Sequence, residues 1–404
     1  SCLPKRLASR LIKTMEFNMP KPPSDVLWQR KDVMLVAAGS GPCLRELYYR
    51  AVEQGKLQQL MFCLTTDDDY TMGTAEEKIT RVIKQAAAVH GVQVVVLYLN
   101  CLDILTRLDF DYLESSLSEA TGVMVRYFFR GPLGKMDIRH FKPVYEFMAE
   151  LPEENGCISH NLYQLPPLAT DVAGVIDTLP ANEAKVLVAP SGCRACLRDG
   201  DLLEQTQGVY VLETKKQDFI YGIEDNCVKQ CSELMSDGKY KSLNLISSAV
   251  AAFIGFDGNW VANSMENNLK TRSFDMDGFN DAVYGVSCTQ ELLAAEEQEL
   301  YIKPAREILI LGYSPLLCGE KEQYAECFAY IRSLGYTPRF VGEKAAGRPA
   351  LCWVVSTAGI AAAACAAEHG YSVRCLYSVF HGVCGRLSLL SVRLAVLWTL
   401  PDGM

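Results

Sequence analysis

The stretch VMLVAAGSGPCLRELYYRA, Val33 to Ala51, decides how this chain is read. An unbroken apolar run ends in a glycine turn, Gly39 to Pro42. Cys43 then opens a segment whose polar and apolar residues alternate at helical spacing. A strand of an all-parallel sheet gives such a run, because helices cover both its faces. The same unit returns at Val186 to Leu203, VLVAPSGCRACLRDGDLL, with Cys193 in the place of Cys43.

Working outward, the repeat is longer than its opening loop. LQQLMFCLTT and then DDDYTMGTAEEKI follow the first copy, and GVYVLET and then KKQDFIYGIEDNC follow the second. Asp69, Tyr70 and Gly73 match Asp218, Phe219 and Gly222. VQVVVLYLNCLDILTRLDFDYL lines up with LNLISSAVAAFIGFDGNWV, anchored on Phe110-Asp111 and Phe256-Asp257, which sets Cys101 opposite Ser247. Each copy reads β-α-β-α-β-α, and EILILGYS, TPRFVGE and ALCWVVST supply strands for a third unit. The expected fold is α/β: three Rossmann-like units with parallel sheets flanked by helices, the first two related as an internal repeat. Linker-like Pro, Gly and acidic punctuation gives the boundaries. These are an N-terminal arm over 1–30 and units over 31–182, 183–300 and 301–404.

The bulk composition narrows the function classes. With 404 residues, two or three domains are expected, and 49% apolar against 22% charged residues is that of a globular protein. A net charge of −9 argues against nucleic-acid binding, which wants a basic face. No signal peptide is read in the basic, amphipathic opening SCLPKRLASRLIKTMEF. The uncharged run Ala350 to Ala367 fits a buried strand, a turn and a small-residue helix better than a membrane span. A cytoplasmic location is therefore expected, and the sixteen cysteines are free thiols. Cys327, Cys352, Cys365 and Cys375 sit inside apolar runs and read as core.

In doubly wound sheets, ligands sit at the carboxyl ends of the strands, against helix N-termini. Cys43 and Cys101 both follow strands of the first unit and are expected at one edge; Cys193 takes that edge in the second. Thiolates converging on one edge suit an iron–sulfur cluster or a soft metal, and buried structural thiols are the alternative. GSGPCL begins like a dinucleotide fingerprint, but the third glycine is missing and Pro42 removes an amide. No Gly-Lys-Ser/Thr loop occurs, so the chain is not expected to hydrolyse ATP itself. Cys193 with Cys196, and Cys227 with Cys231, also leave a four-thiolate zinc site open. The five histidines show no metal spacing.

The pattern resembles the component 1 family of nitrogenase-type oxidoreductases, which includes nitrogenase molybdenum–iron proteins, cofactor scaffolds and tetrapyrrole reductases. Three motifs carry the resemblance. They are the Gly-Pro turn ending in Cys (GSGPC, and APSGC in the second copy), the Asp-aromatic-x-x-Gly element (DYTMG, DFIYG), and the strand ending in Cys (LYLNC). The resemblance implies that Cys43 and Cys101 hold an iron–sulfur cluster of the 4Fe–4S type, with Cys193 or Cys63 completing it. A further metallocofactor or tetrapyrrole is also implied, with Cys318 and His381 as positional candidates. The implied partners are a related subunit, or a second copy, and an ATP-driven iron–sulfur reductase that supplies low-potential electrons. The family's further cysteine upstream of the Gly-Pro-Cys turn has no counterpart in MEFNMPKPPSDVLWQRK. That departure keeps open a non-catalytic scaffold of the same fold, carrying a metallocofactor precursor or tetrapyrrole.

Overall fold

β1 (Val33–Gly39) is buried at every position, as its apolar run requires. The computed structural model describes residues 21–106, 108–130, 142–159, 165–190, 208–215, 217–265, 269–298 and 303–375. Two compact units divide the chain, one of residues 1–38, 50–63 and 73–164, the other of 39–49, 64–72 and 165–404.

The first unit is built on β1, β2 (Leu60–Leu64), β3 (Val94–Leu99) and β4 (Met124–Phe129), in the order β2-β1-β3-β4. β1 pairs in parallel with β3, Val33 opposite Val94, and β3 with β4, Val94 opposite Met124. Helix α1 (Gly41–Glu53) follows β1, α2 (Asp67–Thr71) and α3 (Ala75–Ala87) follow β2, and α4 (Cys101–Leu105) and α5 (Phe110–Thr121) follow β3. Ile79 and Ile83, one helical turn apart on α3, and Leu113 and Leu117 on α5 pack with Met34, Val36, Val95 and Leu97.

The second unit carries two sheets. α6 (Asp171–Thr178) leads into β5 (Ala184–Val188), and β6 (Val209–Val211) precedes α7 (Asp218–Tyr221) and α8 (Glu224–Met235). β7 (Ser242–Ser247) precedes α9 (Ala249–Phe253) and α10 (Gly258–Ser264), and β8 (Lys270–Phe274) completes the order β6-β5-β7-β8. α11 (Ala282–Gln298) then joins this sheet to the next: β9 (Glu307–Leu311), β10 (Thr337–Phe340), β11 (Leu351–Val354) and β12 (Val373–Cys375), ordered β10-β9-β11-β12. Between these strands lie α12 (Pro315–Cys318), α13 (Ala325–Ser333) and α14 (Ile360–Glu368). The strand pairs with a recorded register are parallel throughout.

Three four-stranded parallel sheets thus share one connectivity, with the second strand outside the first and the third and fourth on its other side. The repeat seen in the first two units extends, at the level of topology, to the third. Each sheet has a fourth strand that the sequence reading omits. β8 is KTRSF and β4 is MVRYFF, each broken by an arginine, so neither shows a continuous apolar run.

α11 fastens both sheets of the second unit with buried polar side chains. Arg272 of β8 makes ion pairs with Glu183 at 2.6 Å and with Glu296 of α11 at 2.8 Å. Arg339 of β10 makes ion pairs with Glu297 of α11 at 2.8 Å and with Glu307 at 2.9 Å. Gln290 of α11 donates to the Tyr313 carbonyl at 2.7 Å and accepts from the Gly312 amide. The run from Ala350 to Ala367 is β11, a tight turn and α14, and among the described residues no helix is long and apolar enough to cross a membrane.

Candidate functional site

β1 ends at Gly39, whose φ of 138° only glycine adopts without strain. Ser40 accepts the Leu44 amide at 3.3 Å, so α1 begins at once. Pro42 at its second position removes an amide that has no partner inside a helix anyway. Cys43 therefore stands in the first turn of a 13-residue helix, half-buried.

The surroundings of this turn belong to the second unit. A Cβ on Gly41 would lie 3.5 Å from Thr170 Cγ2, and one on Gly278 would lie 3.5 Å from Pro42 Cγ and 3.8 Å from Ala249 Cβ. Arg45 donates to the Pro167 carbonyl and lies over the Tyr49 ring at 5.1 Å. Thr65 donates its amide to Gly39 at 3.0 Å and its hydroxyl to Tyr70 at 2.9 Å, and the Tyr70 ring meets Phe279 at 6.3 Å. The turn that carries Cys43 thus lies against the carboxyl edge of the second sheet, where α9 starts and the residues after β8 run. β5 ends at Val188, paired with Ser247 of β7. Cys193 lies outside the described residues, as do Cys196, His381 and Cys384.

Cys101 is the first residue of α4 and is 8% exposed. Asn100 caps the helix: its Oδ1 accepts from the Leu102 amide at 2.7 Å, and its Nδ2 donates to the Ala38 carbonyl at 3.3 Å. Asp103 completes the box by accepting the Asn100 amide at 2.8 Å. Ser248 caps α9 in the same way, accepting from Ala251 and donating to the Val188 carbonyl. Cap chemistry therefore sets the register of the repeat. Asn100 corresponds to Ser248 and Cys101 to Ala249, which corrects the pairing of Cys101 with Ser247. Asp109 and Asp257, the caps of α5 and α10, correspond in turn.

Cys63 sits on β2, 1% exposed, in the core with Met34, Val36 and Ile79. Cys63 and Cys101 belong to the first compact unit and Cys43 to the second. Cys227 and Cys231 lie buried on α8, their sulfurs 3.9 Å apart, among Ala184, Val186 and Leu245. They fill the place that Ile79 and Ile83 take on α3, and the contact with Cys231, followed by burial, pushes the Cys227 thiol up. A third cysteine turn exists after β9, GYSPLLC. Its Cys318 is sealed by the protein itself, with Sγ 3.8 Å from the Gly312 carbonyl and the thiol pushed up by burial. Among the described residues, no group of three or more His, Cys, Asp or Glu side chains could hold a metal ion.

Residues that motif reading misses lie beside the Cys43 turn. Asp171 is fully buried at the start of α6, and its carboxylate accepts from the Val172 amide at 2.7 Å and the Gly278 amide at 3.1 Å. Asp277, the third residue after β8, accepts from the Phe279 amide at 2.9 Å. Burial first, and then the neighbouring Asp277 carboxylate, push Asp171 up to about 7. Asp177, one face further along α6, accepts from the Ser314 hydroxyl and from the Leu316 amide at 3.0 Å, closing the third turn. The signal for these residues was weak: a single Asp after Thr170, like many helix starts.

No protein-family model and no curated protein matches the chain. Among solved structures, it is similar to one described as nitrogenase Cp1 at pH 5, at 15% identity and a TM-score of 0.38, over 51% of this chain and 47% of that one. A second, nitrogenase Cp1 at pH 6.5, gives 14% identity and a TM-score of 0.37, over 51% and 45%. The chain spans about half the length of these structures.

Proposed function

We propose that the chain is a nitrogenase-like component 1 subunit in which Cys43, Cys101 and Cys193 ligate an iron–sulfur cluster. The observation that carries this reading is the pair of helix-opening cysteines. Cys43 and Cys101 each stand in the first turn of a helix that follows the carboxyl end of a strand, and β1 and β3 are parallel neighbours. Thiols at such positions are the soft donors that iron–sulfur clusters take, whereas core thiols such as Cys63 point into packed apolar side chains. Cys63 is accordingly left out of the ligand set. When bound, the cluster supplies one-electron transfer at low potential. The chain's own part is to hold the ligating turns: Gly39 and Pro42 shape the first, and Asn100 with Asp103 shapes the second. Electrons come from a separate ATP-driven reductase in this reading, consistent with a sequence that has no phosphate loop.

Iron and acid-labile sulfide on anaerobically purified protein, with its visible absorbance, test the proposal. Near-stoichiometric iron and sulfide are expected, both lost in Cys43→Ala and Cys101→Ala. Colourless protein after reconstitution overturns the cluster and leaves a scaffold of the same fold, the reading that the missing upstream cysteine favours.

A further inference from the structure

We propose that the crevice at the carboxyl edge of the second sheet is the seat of the Cys43 turn, with Ala249, Gly278 and Thr170 as the residues that position it. The three sheets share one device at this place. The capping side chain after the third strand of each donates to a carbonyl at the end of the first: Asn100 to Ala38 at 3.3 Å, Ser248 to Val188 at 2.8 Å and Ser356 to Gly312 at 2.6 Å. The residue after the cap is Cys101 in the first sheet, Ala249 in the second and Thr357 in the third, so the second carries the smallest side chain. Between first and third strands a parallel sheet of this order normally takes its ligand. Here the neighbour is Pro42. A Cβ on Gly278 would lie 3.5 Å from Pro42 Cγ and 3.8 Å from Ala249 Cβ, so two small residues border the space beside the proline ring.

The seat is made of two segments bonded to each other. Asp171 donates its amide to the Asn280 carbonyl at 3.1 Å, Ala282 donates to Ala169 at 2.8 Å, and Thr170 forms an antiparallel bridge with Asp281. The Asp171 carboxylate accepts the Gly278 amide at 3.1 Å and holds that glycine at a φ of 72°. Thr170 is buried, and its Cγ2 lies 3.5 Å from where a Cβ of Gly41 would stand. Phe279 meets Tyr70, which accepts from Thr65, and the Thr65 amide is bonded to Gly39. The turn is thus held at Gly39 through Thr65, at Gly41 and Pro42 by the seat, and at Arg45 through the Pro167 carbonyl.

A ligand to a cluster has to be held in place by packing around it, since a loose donor binds weakly. Cys101 takes its place from the cap of its own helix. Cys43 takes its place from a different sheet, whose cysteine position has been reduced to alanine where the Pro42 ring lies. The purpose of the seat rests on Cys43 being a ligand; its existence does not. Cys43 is half-buried, so lifting Pro42 out of the seat uncovers its thiol.

Iodoacetamide labelling of the full, metal-free chain at one fixed pH, read cysteine by cysteine by mass spectrometry, tests it. Ala249→Leu overfills the space beside Pro42, and Pro42→Ala takes the ring out of it. Both are expected to raise the Cys43 labelling rate about tenfold, while Cys63, buried on β2, keeps its wild-type rate. Ala249→Ser changes the size little and should label like the wild type. Hydrogen–deuterium exchange on the same proteins should speed up at residues 43–45 in the first two variants and not in the third. Pro42→Ala adds no bulk, so it stays decisive if Ala249→Leu folds poorly. A Cys43 rate that stays at the wild-type value in Pro42→Ala, or a rise there that Cys63 shares, overturns the seat. Because no metal is present, neither result bears on the iron assay.

Discussion

Cys43, Cys63 and Cys101 show how one residue type takes different roles according to where its strand ends. Cys63 is inside β2 and Cys101 is two residues past β3, and that offset moves a thiol from the core to a helix start. Cys63→Ala is expected to lower stability by about 1 kcal/mol, the order of a small core deletion, while iron content stays at the wild-type level. Cys101→Ala is expected to remove the iron, since Cys101 is one of the proposed ligands, at a similar cost in stability because it too is buried. Denaturant midpoints and iron content on the same preparations check both. Asp103 is the more sensitive position at that turn. Its carboxylate satisfies the buried Asn100 amide, so Asp103→Ala is expected to cost about 1–3 kcal/mol. These cysteines could be located from the sequence because apolar runs mark strands. The capping residues could not, because Asn, Ser and Asp occur in every loop and only the finished helix start shows which one accepts its amides.

At the scale of elements, the crossing of α6 over α11 is the tightest joint of the second unit. A Cβ on Gly285 would lie 1.9 Å from the Asp171 carbonyl oxygen, and one on Gly174 would lie 2.3 Å from that of Ala282. Backbone faces backbone at both places, so no side chain can swing aside. Gly285→Ala is expected to destabilise the chain by more than the 1–3 kcal/mol or so typical of overpacking. It should also raise exchange at residues 278–282, because it pushes on Asp171 itself. A thermal melt with the exchange map would check this, and an unchanged melting temperature would contradict the close packing. The helices themselves were harder to read than the strands they cover. β1, β3, β5 and β7 were legible because interior parallel strands are buried on both faces and their sequences say so. β4, β8 and the three-residue β12 were not, since MVRYFF, KTRSF and VRC each carry an arginine that breaks the apolar run. The joint at Gly174 and Gly285 was also hidden, as a helical glycine has no signature of what approaches it.

For the whole molecule, the pH dependence of stability brings together two buried groups whose burial acts in opposite directions. Asp171 is held at about 7, above the ordinary aspartate value of 3.8. A native state that binds the extra proton gains stability at low pH, so this contribution is complete below about pH 4 and is lost as pH rises through about 7. Lys185 on β5 is buried, donates to the Pro180 carbonyl at 2.9 Å, and is pulled by burial down to about 8, against the pull of Glu183. Its native state binds fewer protons than the unfolded chain between about 8 and the ordinary 10.5, so stability rises with pH across that interval. Between pH 7 and pH 8, both groups carry their charges inside the protein, and the two penalties coincide. Other carboxylates shape the acid limb. Asp32 resists the upward push of its own burial because Arg30 holds it through two hydrogen bonds, 2.6 and 2.9 Å, and its contribution disappears as pH falls below the ordinary range. Comparing each variant with the wild type removes that background. Asp171→Asn is expected to raise stability over the wild type by a few kcal/mol at pH 8 and by almost nothing at pH 4, the difference growing through pH 7. Lys185→Met replaces a buried charge with an apolar chain of similar length, so its advantage should be largest below pH 8 and fade towards pH 10.5. Urea midpoints measured across that range separate the two, since their differences grow at opposite ends. Parallel curves for variant and wild type would mean that neither group titrates as its burial requires.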